Sequence, residues 1–254
     1  MTAPAPDVRL RIPPDLRFFL PARDRDGEVG RPPDGTSSLG HLVQSAGVPL
    51  TEVGALYVVG APYGGEGEVT AAHRPRPGEV VEVVGVQRPQ PLPGGAPSVP
   101  RFLLDVHLGA LARRLRLVGV DTAYRNDAED AALVAEANER RRILLTQDRG
   151  LLRRRALWLG AYVRGSRPDA QLTDVLTRFA VPLAPWTRCP SCNGELVPVA
   201  KAEIAHRLPA GTRRTYDSFT RCTSCDRLYW PGAHHARLAA LVEEAREAAG
   251  TQGA

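Results

Sequence analysis

The chain predicts an α/β fold: a parallel sheet with flanking helices, preceded by a smaller strand-rich domain and followed by a metal-stapled module. Three observations predict it. Between residues 101 and 182, short apolar runs alternate with amphipathic stretches, the pattern of a parallel sheet with helical crossovers. Residues 88–100 contain five prolines and two glycines, which suit a linker and not a packed element. All four cysteines fall in two matched pairs, Cys189-Pro-Ser-Cys192 and Cys222-Thr-Ser-Cys225.

Ahead of the linker, residues 8–12 alternate apolar and polar side chains as a half-buried strand does. Residues 16–20 are expected to form its hairpin partner. Residues 38–47 combine a capping Ser38, apolar side chains at helical spacing and a terminating Gly47, so a helix is expected there. Residues 56–59 and 80–84 read as later strands. Strand, hairpin, helix and strands, in that order, make a β-grasp over residues 1–88. The stretch Arg76-Pro-Gly-Glu-Val-Val-Glu-Val83 resembles the end of ubiquitin-like sulfur-carrier domains. Those carriers need a free C-terminal Gly-Gly, whereas Gly94-Gly95 lies inside the linker at 89–100, so a binding or positioning role fits better than carrier chemistry.

Beyond the linker the period changes. Residues 101–105, 120–124, 143–146 and 161–163 are expected strands. Helices are expected over 108–118, ended by Gly119, and over 128–141, 151–159 and 168–181, the last opening with Pro168-Asp169. Residues 101–182 form the α/β domain, 183–236 the cysteine module, and 237–254 a C-terminal helix and tail.

Two CxxC knuckles about thirty residues apart are the spacing of a tetrahedral zinc site with ligands Cys189, Cys192, Cys222 and Cys225. Two disulfides or a redox dithiol are the competing readings. Disulfides require an oxidising compartment, and the first residues lack the apolar core of a secretion signal; a cytoplasmic setting is expected. A redox CxxC usually stands alone on an α/β domain.

No apolar run reaches membrane-spanning length, so no membrane partner is expected. Residues 1–95 carry 9 Arg against 11 acidic residues, a net of −2, and residues 96–254 carry 23 Arg and 1 Lys against 17, a net of +7. The two sum to the chain's +5. A polyanion would therefore meet the second part, where Arg113-Arg114-Leu-Arg116, Arg140-Arg141-Arg142 and Arg153-Arg154-Arg155 cluster. Solvated helix faces are the competing account of each cluster.

Ligands of open parallel sheets bind at the carboxyl ends of the strands. Asp105 ends the first strand of the α/β domain. Asp127, Glu129 and Asp130 follow the second, and Asp148 follows the third. Carboxylates from separate segments on one rim repel unless a cation or a shared proton intervenes, and oxygen-rich clusters suit Mg²⁺ or Mn²⁺. Asp127 would serve equally as a helix cap, and Asp148-Arg-Gly150 as an ordinary turn. Asp105 is harder to explain away, because a carboxylate closing a buried strand is costly unless paired or solvated.

The runs Arg101-Phe-Leu-Leu-Asp-Val-His-Leu-Gly-Ala-Leu-Ala-Arg-Arg-Leu-Arg-Leu-Val-Gly-Val-Asp121 and Ile143-Leu-Leu-Thr-Gln-Asp-Arg-Gly-Leu-Leu152 resemble the Mut-seven C-terminal RNase family of PIN-like domains. So do Thr187-Arg-Cys-Pro-Ser-Cys-Asn193, Phe219-Thr-Arg-Cys-Thr-Ser-Cys225 and Tyr229-Trp-Pro-Gly-Ala-His234, which are similar to that family's zinc ribbon. The acidic first block looks like the ubiquitin-like domain often fused to it. The resemblance implies a PIN-like sheet, a Cys₄ zinc ribbon and metal-dependent cleavage of RNA, with tRNA and rRNA among the candidate substrates. It places Asp105, Asp130 and Asp148 at the acidic positions, with Asp127 as a fourth. Arg113, Arg114 and Arg149 are the basic side chains expected on the RNA backbone. The alternative is a non-catalytic RNA-binding or ribosome-associated adaptor. In either case residues 1–88 are expected to dock a protein partner.

Overall fold

The computed structural model describes residues 6–32, 34–60 and 65–250. The first five residues of the expected β-grasp block and the last four of the expected tail lie outside them. The chain divides into two compact units: Met1–Gln87 with Asp148–Tyr162, and Arg88–Gln147 with Val163–Ala254. Packing thus departs from the linear order at one place, where a segment of the α/β region belongs to the first unit.

The first unit is a mixed β-grasp sheet. Strands β1 (Val8–Arg11), β2 (Glu28–Arg31), β3 (Val53–Gly60), β4 (Gly67–Val69) and β5 (Val80–Gly85) lie in the order β2-β1-β5-β3-β4, with β1 and β5 parallel and the other neighbours antiparallel. Along β1 Val8 and Leu10 are buried and Arg9 and Arg11 exposed, the alternation the sequence implies. Helix α1 (Leu39–Ala46) starts on Ser38, whose side chain accepts from His41 N–H, and closes at Gly47. Its Leu39, Val43 and Ala46 join Leu10, Phe19, Leu56 and Val81 in the core.

The hairpin expectation for residues 16–20 fails. Pro14–Phe19 is a 3-10 helix, and the antiparallel partner of β1 is β2. Pro14 sits at the first helical position, where its missing N–H costs nothing and its fixed φ favours a helical turn. Leu16 and Phe19 reach the core from that helix.

In the second unit β6 (Phe102–Leu104), β7 (Thr122–Tyr124) and β8 (Ile143–Thr146) form a parallel sheet with β6 between the other two. Every residue of β6 and β8 is buried, as expected of strands covered on both faces. Helices α2 (Gly109–Leu117) and α3 (Asp130–Glu139) flank it. α4 (Arg149–Leu152) and β9 (Gly160–Tyr162) belong to the first unit. α5 (Pro168–Phe179) packs on α2, and the ring of Phe179 lies 5.3 Å from that of Phe102.

The helix expected over 151–159 is also shorter than the spacing implies, ending at Leu152. Beyond it the turns close on i→i−3 bonds, Arg153 N–H to Gly150 O and Arg154 N–H to Leu151 O. Past this point Arg153 donates to Gln44 O at 2.8 Å.

The expected linker holds no helix or strand, but its start is fastened. Arg88 Nη1 donates to Asp174 Oδ1 at 2.6 Å, Gln90 N–H donates to Arg178 O at 2.6 Å, and the buried Arg178 donates back through Nε to Gln90 Oε1 at 2.7 Å.

The module after α5 is a three-stranded antiparallel ribbon of β10 (Leu196–Pro198), β11 (Thr220–Cys222) and β12 (Leu228–Tyr229). Short helices α6 (Lys201–Ile204) and α7 (Ala210–Thr215) interrupt it, and α8 (His235–Gly250) packs back on α5. No helix among the described residues is long and apolar enough to cross a membrane.

The chain enters this module along the end of α2, where Ala184 and Trp186 donate to Val118 O and Leu117 O. Gly119 makes the approach possible: its φ is +86°, and a Cβ there would stand 1.9 Å from Ala184 O. Gly119→Ala should cost roughly 2–4 kcal/mol, because backbone must move on both sides. Thermal unfolding should show a drop of several degrees; an unchanged Tm would contradict this packing.

Candidate metal centre and candidate active site

The cysteine knuckles are built alike. Cys189 N–H donates to Gly194 O and Cys222 N–H to Arg227 O; Asn193 N–H returns to Cys189 O and Asp226 N–H to Cys222 O. Asn193 (φ 71°) and Asp226 (φ 58°) occupy the left-handed region at the same point of each turn. Asn and Asp are the non-glycine residues that best tolerate it. The four Sγ atoms lie within 4.8 Å of one another, with Cys189–Cys225 at 3.7 Å and Cys192–Cys222 at 3.4 Å.

Those separations fit the ion. A tetrahedron with Zn–S bonds of about 2.3 Å has S···S edges of about 3.8 Å. Backbone N–H groups of Gly194 and Ser224 point at Cys192 and Cys222 Sγ, both at 3.4 Å. Gly194 is constrained here, since a Cβ would meet Ser224 Oγ at 2.5 Å and Cys222 Sγ at 2.8 Å. Burial works against ionisation of Cys189, but bonds from the Tyr229 hydroxyl at 3.0 Å and from the knuckle backbone outweigh it, bringing the thiol to about 7. Burial and its thiol neighbours push Cys192 up to about 12, and burial also raises Cys225. Four thiols this close cannot all ionise without a cation. The module's own hydrophobic cluster is small, Ile204, Leu208 and Phe219 with partly buried Val199, Tyr216 and Leu228, and a metal staple would add to it. Zinc would be held by Cys189, Cys192, Cys222 and Cys225, and would act as a closed structural staple.

The first knuckle is anchored to the α/β layer. Arg116, on α2, is 3% exposed and donates to Thr122 O at 2.9 Å, Pro190 O at 3.2 Å and Ser191 O at 2.9 Å. Its cluster suggested a phosphate contact or a solvated face; the structure makes it an internal strut. Asn193 joins the same anchor, accepting from Thr122 N–H at 2.9 Å and donating to Asp121 Oδ1 at 2.8 Å. Asp121 Oδ1 also accepts from Arg142 at 2.8 Å. Sequence inspection missed Asp121, whose partners lie 21 and 72 residues away.

Asp105 closes β6 and is 6% exposed. Its Oδ1 accepts from Val106 N–H and its Oδ2 from Thr146 Oγ1, both at 2.6 Å, while its N–H extends the ladder to Leu145 O. The carboxyl ends of β6 and β8 are thus tied together through a carboxylate and a hydroxyl. Asp130 opens α3, two residues later than the helix start expected from sequence, and is half-buried; Asp127 is exposed in the turn before it. Glu129 stands at the cap position of α3 without a side-chain capping bond. Asp148 is exposed and caps α4, accepting from Gly150 N–H at 2.6 Å. Among the described residues the cysteines are the one group of three or more metal-ligating side chains drawn within 4.8 Å.

The basic side chains expected on RNA differ in their surroundings. Arg113 is exposed, Arg114 Nε donates to Asp169 Oδ1 at 2.6 Å, and Arg149 Nη1 donates to Phe19 O at 2.6 Å. Tyr229 is engaged by Cys189, while Trp230 stays about a third exposed beside Phe219.

Residues 100–242 match the family described as Mut7-C RNAse domain, and residues 5–90 match the one described as Mut7-C ubiquitin. The chain belongs to the Mut7-C RNAse family. No curated protein and no solved structure matches it. The Mut7-C domain therefore spans the sheet, its helices and the cysteine module, and the β-grasp block is its ubiquitin-like companion.

The anchor of the Mut7-C ribbon has a pH signature. Burial opposes ionisation of Asp121, but bonds from Arg142 and Asn193 outweigh it and hold the carboxyl below its ordinary value. A depressed folded-state pKa contributes stability that is complete above the unfolded value of about 4 and drains as pH falls through the folded one. The Tm gap between wild type and Asp121→Asn should be widest above pH about 5 and shrink below about 4. A gap independent of pH would contradict the assignment.

Proposed function

We propose that the chain is a metal-dependent ribonuclease that hydrolyses phosphodiester bonds at the carboxyl edge of the β7-β6-β8 sheet. One observation supports this above the others: Asp105, a nearly buried carboxylate at the end of the central strand of an RNAse-family sheet, has both oxygens oriented by fixed donors. Preorganisation of this kind is what an active-site carboxylate requires, and a capping role alone would not require burial.

Asp105, Asp130 and Asp148 would hold Mg²⁺ or Mn²⁺, with Asp127 as a further ligand. The donor set is all oxygen, as these ions demand, and Mg²⁺ keeps several waters and binds through one or two carboxylates. When bound, the ion supplies a water of lowered pKa and charge stabilisation at the leaving oxygen. Thr146 and Val106 N–H fix the carboxylate of Asp105 in one orientation. Arg113 is the exposed cation on α2 for the RNA backbone, and Arg114 would share its charge between Asp169 and a phosphate.

A second reading, an RNA-binding adaptor without turnover, is favoured by the capping bonds of Asp105 and Asp148. The experiment that separates them is cleavage of mixed RNA by the purified chain with Mg²⁺ or Mn²⁺. Asp105→Asn keeps an oxygen for Val106 N–H and so keeps the turn, yet removes the charge. It should lower cleavage on the order of a hundredfold. Equal cleavage by both proteins would reject this site; salt-sensitive RNA binding with no cleavage by either would establish the adaptor.

A further inference from the structure

The segment that begins at Asp148 is poorly equipped to hold itself. Its helix α4 has four residues, and a helix that short is not stable on its own. The fixings come from the ubiquitin-like domain, with which Asp148–Tyr162 forms one compact unit. Arg149 Nη1 donates to Phe19 O at 2.6 Å and Nη2 approaches Phe18 O at 3.4 Å, while the guanidinium carbon stands 5.1 Å from the centre of the Phe19 ring. Arg153 Nη2 donates to Gln44 O at 2.8 Å. At the far end of the segment, Tyr162 N–H donates to Glu52 Oε1 at 2.8 Å. The Tyr162 ring stands edge-on to Phe19 at 4.9 Å and tilted to Phe18 at 5.7 Å.

Glu52 is fully buried. A carboxylate there is expensive unless it does what an apolar side chain cannot, and accepting the β9 backbone N–H is such a task. Arg149 and Arg153 donate to main-chain carbonyls, so they hold the segment whichever side chains surround those carbonyls.

We propose that the ubiquitin-like domain is the scaffold of the Asp148 turn, acting within its own chain through Arg149, Arg153 and Glu52 as positioning residues. This rests on the reading that Asp148 belongs to the active site. It changes the role expected for Arg149, from a phosphate contact to a tether. It also means that the face carrying Phe18, Phe19, Gln44 and Glu52 is occupied by the chain's own segment and is not the surface offered to a separate protein.

The test measures RNA cleavage with Mn²⁺, RNA affinity and native-state amide exchange on the full chain. Arg149→Met and Glu52→Leu should lower kcat about tenfold or more. KM and RNA affinity should stay within about twofold, and the amides of residues 148–162 should exchange at least about tenfold faster. Glu52→Gln, which keeps an acceptor oxygen for Tyr162 N–H, should restore both rate and protection. Where Glu52→Leu does not fold, the exposed Arg153→Ala should show the same pattern. Loss of RNA affinity with exchange unchanged would overturn the proposal in favour of direct contact, and faster exchange with kcat unchanged would also overturn it. A wild type that cleaves no RNA would sink the nuclease reading alone. Exchange would then still judge the scaffold, and unchanged exchange in these variants would overturn it.

Discussion

Arg116 leaves α2, gives up solvent and spends its guanidinium on Thr122 O, Pro190 O and Ser191 O. A buried cation costs several kcal/mol unless it is paired. Burial pulls its pKa below the ordinary value, and the nearby Cys192 and Cys189 work in the opposite sense. A zinc ion with four thiolates would carry a net charge of about −2, so the guanidinium and such a centre would stabilise one another. Much of the second unit's order follows from this joint. The first knuckle is seated on the start of β7, Asn193 adds its two bonds there, and Asp121 gathers Asn193 and Arg142. A zinc ion held by these four cysteines would therefore be linked to the position of β7, as a closed staple with no open position for chemistry.

Both compact units solve one problem, that of short elements unable to stand alone. The ribbon has strands of two or three residues and a three-residue buried core, which Arg116 supplements and a metal at the four cysteines would reinforce. Segment 148–162 has one turn of helix, and the ubiquitin-like domain supplies its fixings. The parallel sheet of the second unit is conventional, with β6 and β8 buried along their whole length. What sets its edge apart is Asp105, a charged group placed where the surrounding residues are apolar.

The parts legible in the sequence were those governed by local rules. Alternation along Val8–Arg11, the Ser38 cap, the apolar runs of β6 and β8 and the CxxC spacing each depend on neighbours a few residues apart. The two misread elements failed where a local signal was overridden. Apolar residues at 16–20 suggested a strand, but Pro14 set a 3-10 turn; leucines spread over 151–159 suggested a helix, but beyond Leu152 the chain closes in i→i−3 turns. The joints were not legible. Arg116 and Pro190 are 74 residues apart and Arg149 and Phe19 are 130 apart, and no spacing rule connects them. Asp105 was legible as an oddity, a carboxylate ending an apolar run. Its bond to Thr146 was not, since it depends on the parallel register of β6 and β8.

The division of labour, with zinc as staple and the acidic edge as reaction centre, is most directly tested by a crystal structure grown with Mn²⁺ and measured at the zinc and manganese absorption edges. The account predicts zinc among Cys189, Cys192, Cys222 and Cys225, and manganese bound at Asp105. Manganese elsewhere, with the Asp105 carboxylate ion-free in crystals of a protein that cleaves RNA, would contradict it.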